Sequence, residues 1–184
     1  MKRLMILPLV LAALAAGFSV RAETSGGEVD FGKFSAPGKG GEFVEVQIRS
    51  NLLSLAATLV EKEQPEAAKL LRSVRMVRVN VVGLTDENRG EMEKRIAAIG
   101  RELAQQGWER NVNVQGKEGE AVGVYTKTRG GESLEGVAIT VLEPKNLVLV
   151  NVVGDIRPDQ VAALGESLNI KPLKDVGTAI KKND

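Results

Sequence analysis

Four carboxylates stand just beyond two nearly identical apolar stretches. Residues 77–84 read Val-Arg-Val-Asn-Val-Val-Gly-Leu and lead to Asp86 and Glu87. Residues 148–155 read Val-Leu-Val-Asn-Val-Val-Gly-Asp, ending on Asp155 with Asp159 close behind. Carboxylate oxygens that converge hold hard cations such as calcium. If the two strand ends lie side by side, Asp86, Glu87, Asp155 and Asp159 gather at one sheet edge as a metal site. The same acids also suit the first turn of a helix, where they meet free amides and the positive pole of the dipole. That structural reading carries more weight. Trp108 and Tyr125, the one tryptophan and the one tyrosine, form a second candidate site. Projecting from neighbouring strands they would line a ligand pocket; packed inward they are simply core.

Other chemistry is scarce. The chain has no histidine and no cysteine, which removes Ser-His-Asp and Cys-His machinery, thiolate metal sites and disulfides. Ser54, Ser73, Ser133 and Ser167 show no Ser-x-x-Lys pattern or nucleophile elbow. Gly32 to Lys39 mimics a phosphate loop, but five residues separate Gly32 from Gly38 where four are required. No Ser or Thr follows Lys39, and a strand comes next. The reading is therefore no catalytic residues and no cofactor. Lys69, Arg72, Arg75 and Arg78 form a local basic cluster, suited to an acidic partner or phospholipid headgroups, or merely to a helix end and an outward strand face.

The elements that would position these residues follow from periodicity. Residues 42–49 alternate, with Val44, Val46 and Ile48 on one side, as a half-buried strand does. Ser50 or Asn51 then caps a helix whose stripe of Leu52, Leu55, Ala56, Leu59 and Val60 faces the core. Pro65 opens a second helix with Ala67, Leu70, Leu71 and Val74 inward. After the first valine-rich strand, Thr85 or Asp86 caps a long helix over 87–106, with Met92, Ile96, Ile99 and Leu103 inward and Gly107 as its left-handed stop. Residues 108–114, 121–129, 134–142 and 147–153 read as strands joined by links too short for parallel crossovers. A last helix spans 158–168. The spacing predicts a two-layer α+β domain, a mainly antiparallel sheet of about six strands with helices on one face.

The ends read differently. Lys2 and Arg3 precede an apolar run over 4–18 that ends in Val20-Arg21-Ala22, the pattern of a signal peptide over 1–22 cleaved after Ala22. The run is short for a bilayer, which needs about 20 residues, so no stable membrane anchor is expected after cleavage. Six glycines within 23–41 suggest a flexible leader that Phe31 and Phe34 could pin to the body. One domain then covers 42–170, and 171–184 forms a basic tail. Losing Lys2, Arg3 and Arg21 from 25 basic residues against 24 acids leaves a mature charge of about −2. A near-neutral chain gives no electrostatic case for nucleic acid.

Residues 55–79, with Pro-Glu-Ala-Ala-Lys-Leu-Leu-Arg-Ser-Val-Arg-Met-Val-Arg-Val at their end, and residues 150–160, Val-Asn-Val-Val-Gly-Asp-Ile-Arg-Pro-Asp-Gln, together carry a likeness. They resemble an exported bacterial family known as domain of unknown function 4252, over roughly 42–168. The resemblance implies no activity and no catalytic residues. Many members of that family look like lipoproteins, whereas this chain lacks the cysteine that lipid attachment needs. The expectation is a periplasmic or secreted, non-catalytic domain that binds another envelope protein. The alternatives are a small-ligand or lipid carrier with its pocket around Trp108 and Tyr125, and a calcium-binding domain built on the four acids.

Overall fold

The computed structural model describes residues 26–34, 41–117, 119–130, 133–157 and 160. The expected signal segment, last helix and basic tail, and Asp159, lie outside them, apart from Gln160. The chain runs β1 (Phe43–Arg49), α1 (Ser50–Val60), α2 (Pro65–Ser73), β2 (Val74–Gly83), α3 (Arg89–Gln105), β3 (Glu109–Gln115), β4 (Ala121–Arg129), β5 (Ser133–Leu142) and β6 (Asn146–Ile156). All six strands form one antiparallel sheet in the order β1-β2-β6-β5-β4-β3. This is the α+β architecture that the short links and alternating strands imply. The two valine-rich segments are neighbours within it, β2 and β6. Their equivalent residues Val79 and Val150 face each other across the ladder, so the likeness coincides with a local two-fold relation.

Helices stand on both faces of the sheet, not on one. Because side chains alternate along a strand, Val148, Val150 and Val152 of β6 point one way and Leu147 and Leu149 the other. The first set joins Leu53 of α1 and Leu70 of α2. The second joins Met92, Ile99 and Leu103 of α3. A strand apolar on both sides needs cover on both, and a single helix layer leaves half of it wet.

The leader supplies part of that second cover. Val29 and Phe31 are each only 3% exposed, although the glycine content of 23–41 reads as a flexible linker. Asn151, fully buried in β6, explains the difference. Its Oδ1 accepts from the Val29 amide at 3.0 Å, and its Nδ2 donates to the carbonyls of Gly27 (3.1 Å) and Val137 (3.2 Å). The carboxamide thus satisfies the leader's backbone much as a neighbouring strand would. Arg95 donates to the Phe31 and Lys33 carbonyls and stacks 3.8 Å over the Phe34 ring, which itself stacks on Phe43. Residues 26–34 therefore pack against the sheet as part of its cover.

Helix α1 departs from its apolar period. Leu53 and Ala57 are its buried residues, while Leu52, Leu55 and Leu59 are 53%, 58% and 76% exposed. The chain passes from β1 into α1 without a loop, which fixes the rotational setting of the helix regardless of its widest apolar stripe. Arg49 occupies the cap position, and no side chain caps the helix; the caps expected from Ser50 or Asn51 are absent. Val74, expected in α2, is the buried first residue of β2. On the sheet face beneath α1 and α2, a row of six valines crosses every strand: Val44, Val81, Val148, Val141, Val122 and Val114. Its two ends, at the sheet edges, are exposed.

Candidate functional site

A cleft of about 820 Å³ opens between α3 and the strands β3 to β5. Trp108 and Tyr125 both line it, so the two aromatic candidates share one site and are also core residues, each 5% exposed.

The end of α3 sets the tryptophan. Gly107 adopts φ 79°. Its amide donates to the Ala104 carbonyl at 3.2 Å, and the Trp108 amide donates to the Leu103 carbonyl at 3.0 Å. This is a Schellman closure, with Trp108 packed in the same apolar cluster as Leu103. The chain then reverses into β3 and carries Arg110 along the opposite wall. Glycines shape the interior. A Cβ on Gly123 of β4 would stand 2.8 Å from Thr140 Oγ1 and 2.9 Å from the Tyr125 ring; one on Gly100 of α3 would stand 2.8 Å from the Tyr125 hydroxyl. The phenol therefore reaches across beneath the helix only because both positions lack side chains. Ala97, Gly100 and Ala104 give α3 a shallow wall, and Ile96 and Leu142 add apolar surface.

The polar groups are unevenly matched. The indole Nε1–H of Trp108 is buried with no acceptor among the described residues. Arg89 gathers the mouth nearest Glu93 and the β3–β4 turn: it donates to Glu93 Oε1 at 3.1 Å and to the carbonyls of Gly119, Glu143 and Pro144. The cleft's volume falls in the range of small-molecule sites, and its lining mixes apolar surface with the polar side chains of Glu93, Arg101, Arg110, Asn113, Gln115 and Glu120. Neither the cleft nor its unpaired indole was legible in the sequence beyond the two aromatic residues, because Gly100 and Gly123 acquire their meaning only when Tyr125 lies between them.

The four acids do not assemble. β2 and β6 are antiparallel, with Val74 opposite Gly154 and Gly83 opposite Asn146. Asp86 and Glu87, beyond Gly83, and Asp155, beyond Gly154, consequently leave opposite ends of the sheet, about 30 Å apart at the usual strand rise. Strands running the same way would have brought them together. Among the described residues no group of three or more acids is placed to hold a metal. Asp86 and Glu87 lie exposed in the turn before α3, where Thr85 and Asn88 exchange bonds, amide to Oδ1 at 2.8 Å and amide to Oγ1 at 3.4 Å.

The basic cluster disperses as well. Lys69 pairs with Glu66, Arg72 with Glu61, and Arg78 with Glu28 of the leader on the other face of the sheet. The Arg72 guanidinium, hydrogen-bonded to Glu61, holds that carboxyl below the usual carboxylate range, and Lys69 does the same for Glu66.

This sheet, with its docked leader and the cleft under α3, is an α+β domain without a recognisable catalytic set among the described residues. Residues 38–164, more than half of the chain, match the family described as Domain of unknown function (DUF4252). The chain belongs to that family. No curated protein and no solved structure matches it.

Proposed function

We propose that the protein is an exported, non-catalytic binding domain that carries a small ligand in the cleft between α3 and the sheet. The observation that supports this reading is the cleft itself, with Trp108 and Tyr125 in its lining. Without histidine or cysteine the chain lacks the commonest general base and the most nucleophilic side chain. Export rests on Lys2, Arg3 and the apolar run that ends at Ala22, and the N-terminal sequence of the protein recovered from cells tests it: a start at Glu23 is expected.

Trp108 is the sole tryptophan, so its emission reports on the cleft directly. Titration of the mature protein with lipid and metabolite extracts should give a saturable shift. Ala97→Phe, at an exposed position that lines the cleft, should abolish the shift without unfolding the domain. Emission unmoved by every extract would overturn the reading, as would turnover of a substrate by the purified protein.

A second reading, an adaptor for another envelope protein, draws on the outward leucines of α1. Leu52, Leu55 and Leu59 form an exposed stripe at helical spacing, and a partner with its own apolar face would bury it. Leu55→Glu should then release a co-purifying partner while leaving the Trp108 response intact.

A further inference from the structure

We infer that the cleft selects an amphipathic anion, its acidic group held at the Trp108 end and its apolar body lying on Tyr125 and Leu142. This rests on the carrier reading above and adds the ligand's charge.

The cleft is polarised along its length. α3 runs along one wall from Glu93 to Ala104, the chain turns at Gly107, and β3 runs back along the other wall from Arg110 to Gln115. One end therefore holds Arg101, Trp108 and Arg110, and the other holds Glu93 and Glu120. Eight helical residues from Glu93 to Arg101 span about 12 Å, and the five residues from Arg110 to Gln115 span about 17 Å. Charges that far apart in solvent are largely screened from each other. Each end thus has to be balanced locally.

The two ends differ in how far that has happened. Arg89 already serves the Glu93 end, pairing with its carboxylate and tying down the Gly119 carbonyl. At the other end neither the Arg101 nor the Arg110 side chain has an ion pair or a hydrogen bond among the described residues. Unpaired surface arginines are ordinary singly, but these two line the same end of one cleft, away from its two glutamates. Guanidinium groups offer donors and no acceptor. A carboxylate, sulfonate or phosphate is the group that complements both; a cation is repelled, and a neutral apolar molecule leaves them as they are.

Two probes with the same skeleton separate charge from shape: 1-anilinonaphthalene-8-sulfonate, and N-phenyl-1-naphthylamine, which lacks the sulfonate. Binding of each to the mature protein is read by energy transfer from Trp108. The sulfonate should bind at least about tenfold more tightly than the neutral probe. Arg101→Gln and Arg110→Gln, both at exposed positions, should each weaken the sulfonate severalfold and leave the neutral probe unchanged. Ala97→Phe should exclude both. Equal or tighter binding of the neutral probe, excluded by Ala97→Phe, overturns the charge selection while the carrier reading stands. Energy transfer that survives Ala97→Phe for both probes, or is absent from the start, overturns the carrier reading and the charge selection with it.

Discussion

Asn151 is the fully buried polar residue that ties the leader to the sheet. It has no exposure, and two of its three hydrogen bonds go to backbone groups of the leader, the Val29 amide and the Gly27 carbonyl, while the third goes to the Val137 carbonyl of β5. Asn151→Leu should cost about 2–3 kcal/mol, since the Val29 amide and the Gly27 carbonyl lose their partners. Chemical denaturation should show a lower midpoint, and the Val29 amide should lose its protection from hydrogen exchange. Asn80, its counterpart in the other valine-rich strand, has a buried Oδ1 without a partner among the described residues, so one sequence motif has two different structural roles. Tyr125 and Gly100 form a second coupled pair. Gly100→Ala by itself gains helix propensity but brings a methyl to 2.8 Å from the phenol oxygen. In a Tyr125→Phe background the same change should stabilise α3 by up to about 1 kcal/mol. A double-mutant cycle with no coupling between the two sites would contradict this packing.

At the scale of elements, α1 is the least conventional. Its leucine stripe faces solvent while Leu53 and Ala57 reach the sheet. Leu53→Ala should therefore cost about 2–5 kcal/mol, as truncation of a buried leucine does. Leu55→Gln should fall within about 0.5 kcal/mol of wild type. Urea midpoints of the two variants decide it, and the apolar period of the sequence taken at face value predicts the reverse. Helix α3 answers to different constraints. Met92, Ile99 and Leu103 anchor it, as their spacing indicates, while the small side chains at Ala97, Gly100 and Ala104 leave the space beside them unfilled and the cleft open. The leader shows how weak a guide glycine content can be. Gly27 passes over Gly136 at van der Waals limits, so those glycines permit close approach rather than motion.

For the molecule as a whole, the sheet is a shared floor for two apolar layers, and its edge strands mix polar residues with the exposed Val44, Val46 and Val114. Glu45 and Gln47 on β1, and Asn111, Asn113 and Gln115 on β3, are exposed, which discourages edge-to-edge pairing of copies. Acid should weaken the fold in a defined direction. Glu61 and Glu66 have folded-state values held below the usual carboxylate range by Arg72 and Lys69. Their contribution to stability is present above the unfolded carboxylate value and is lost as pH falls through the depressed folded values. The melting temperature of Glu61→Gln should lie slightly below wild type near neutral pH, and the gap should close toward about pH 2. Both groups are exposed, so the gap should also shrink in high salt.

The amino-acid sequence alone determined the succession of strands and helices, the antiparallel meander of β3 to β6, the pairing of two valine-rich strands in one sheet, and the family resemblance. Those features are local: alternation, short links and helix stops act within a few residues of chain. Only the tertiary structure decided which face each helix covers, that the leader docks through Asn151, that α1 turns its leucines outward, and that the four acids part company. Each of these depends on strand direction or on contacts between residues far apart in the chain. Antiparallel pairing of β2 with β6 separates the acids, and the turn at Gly107 brings Trp108 and Arg110 back beside α3 to make the cleft.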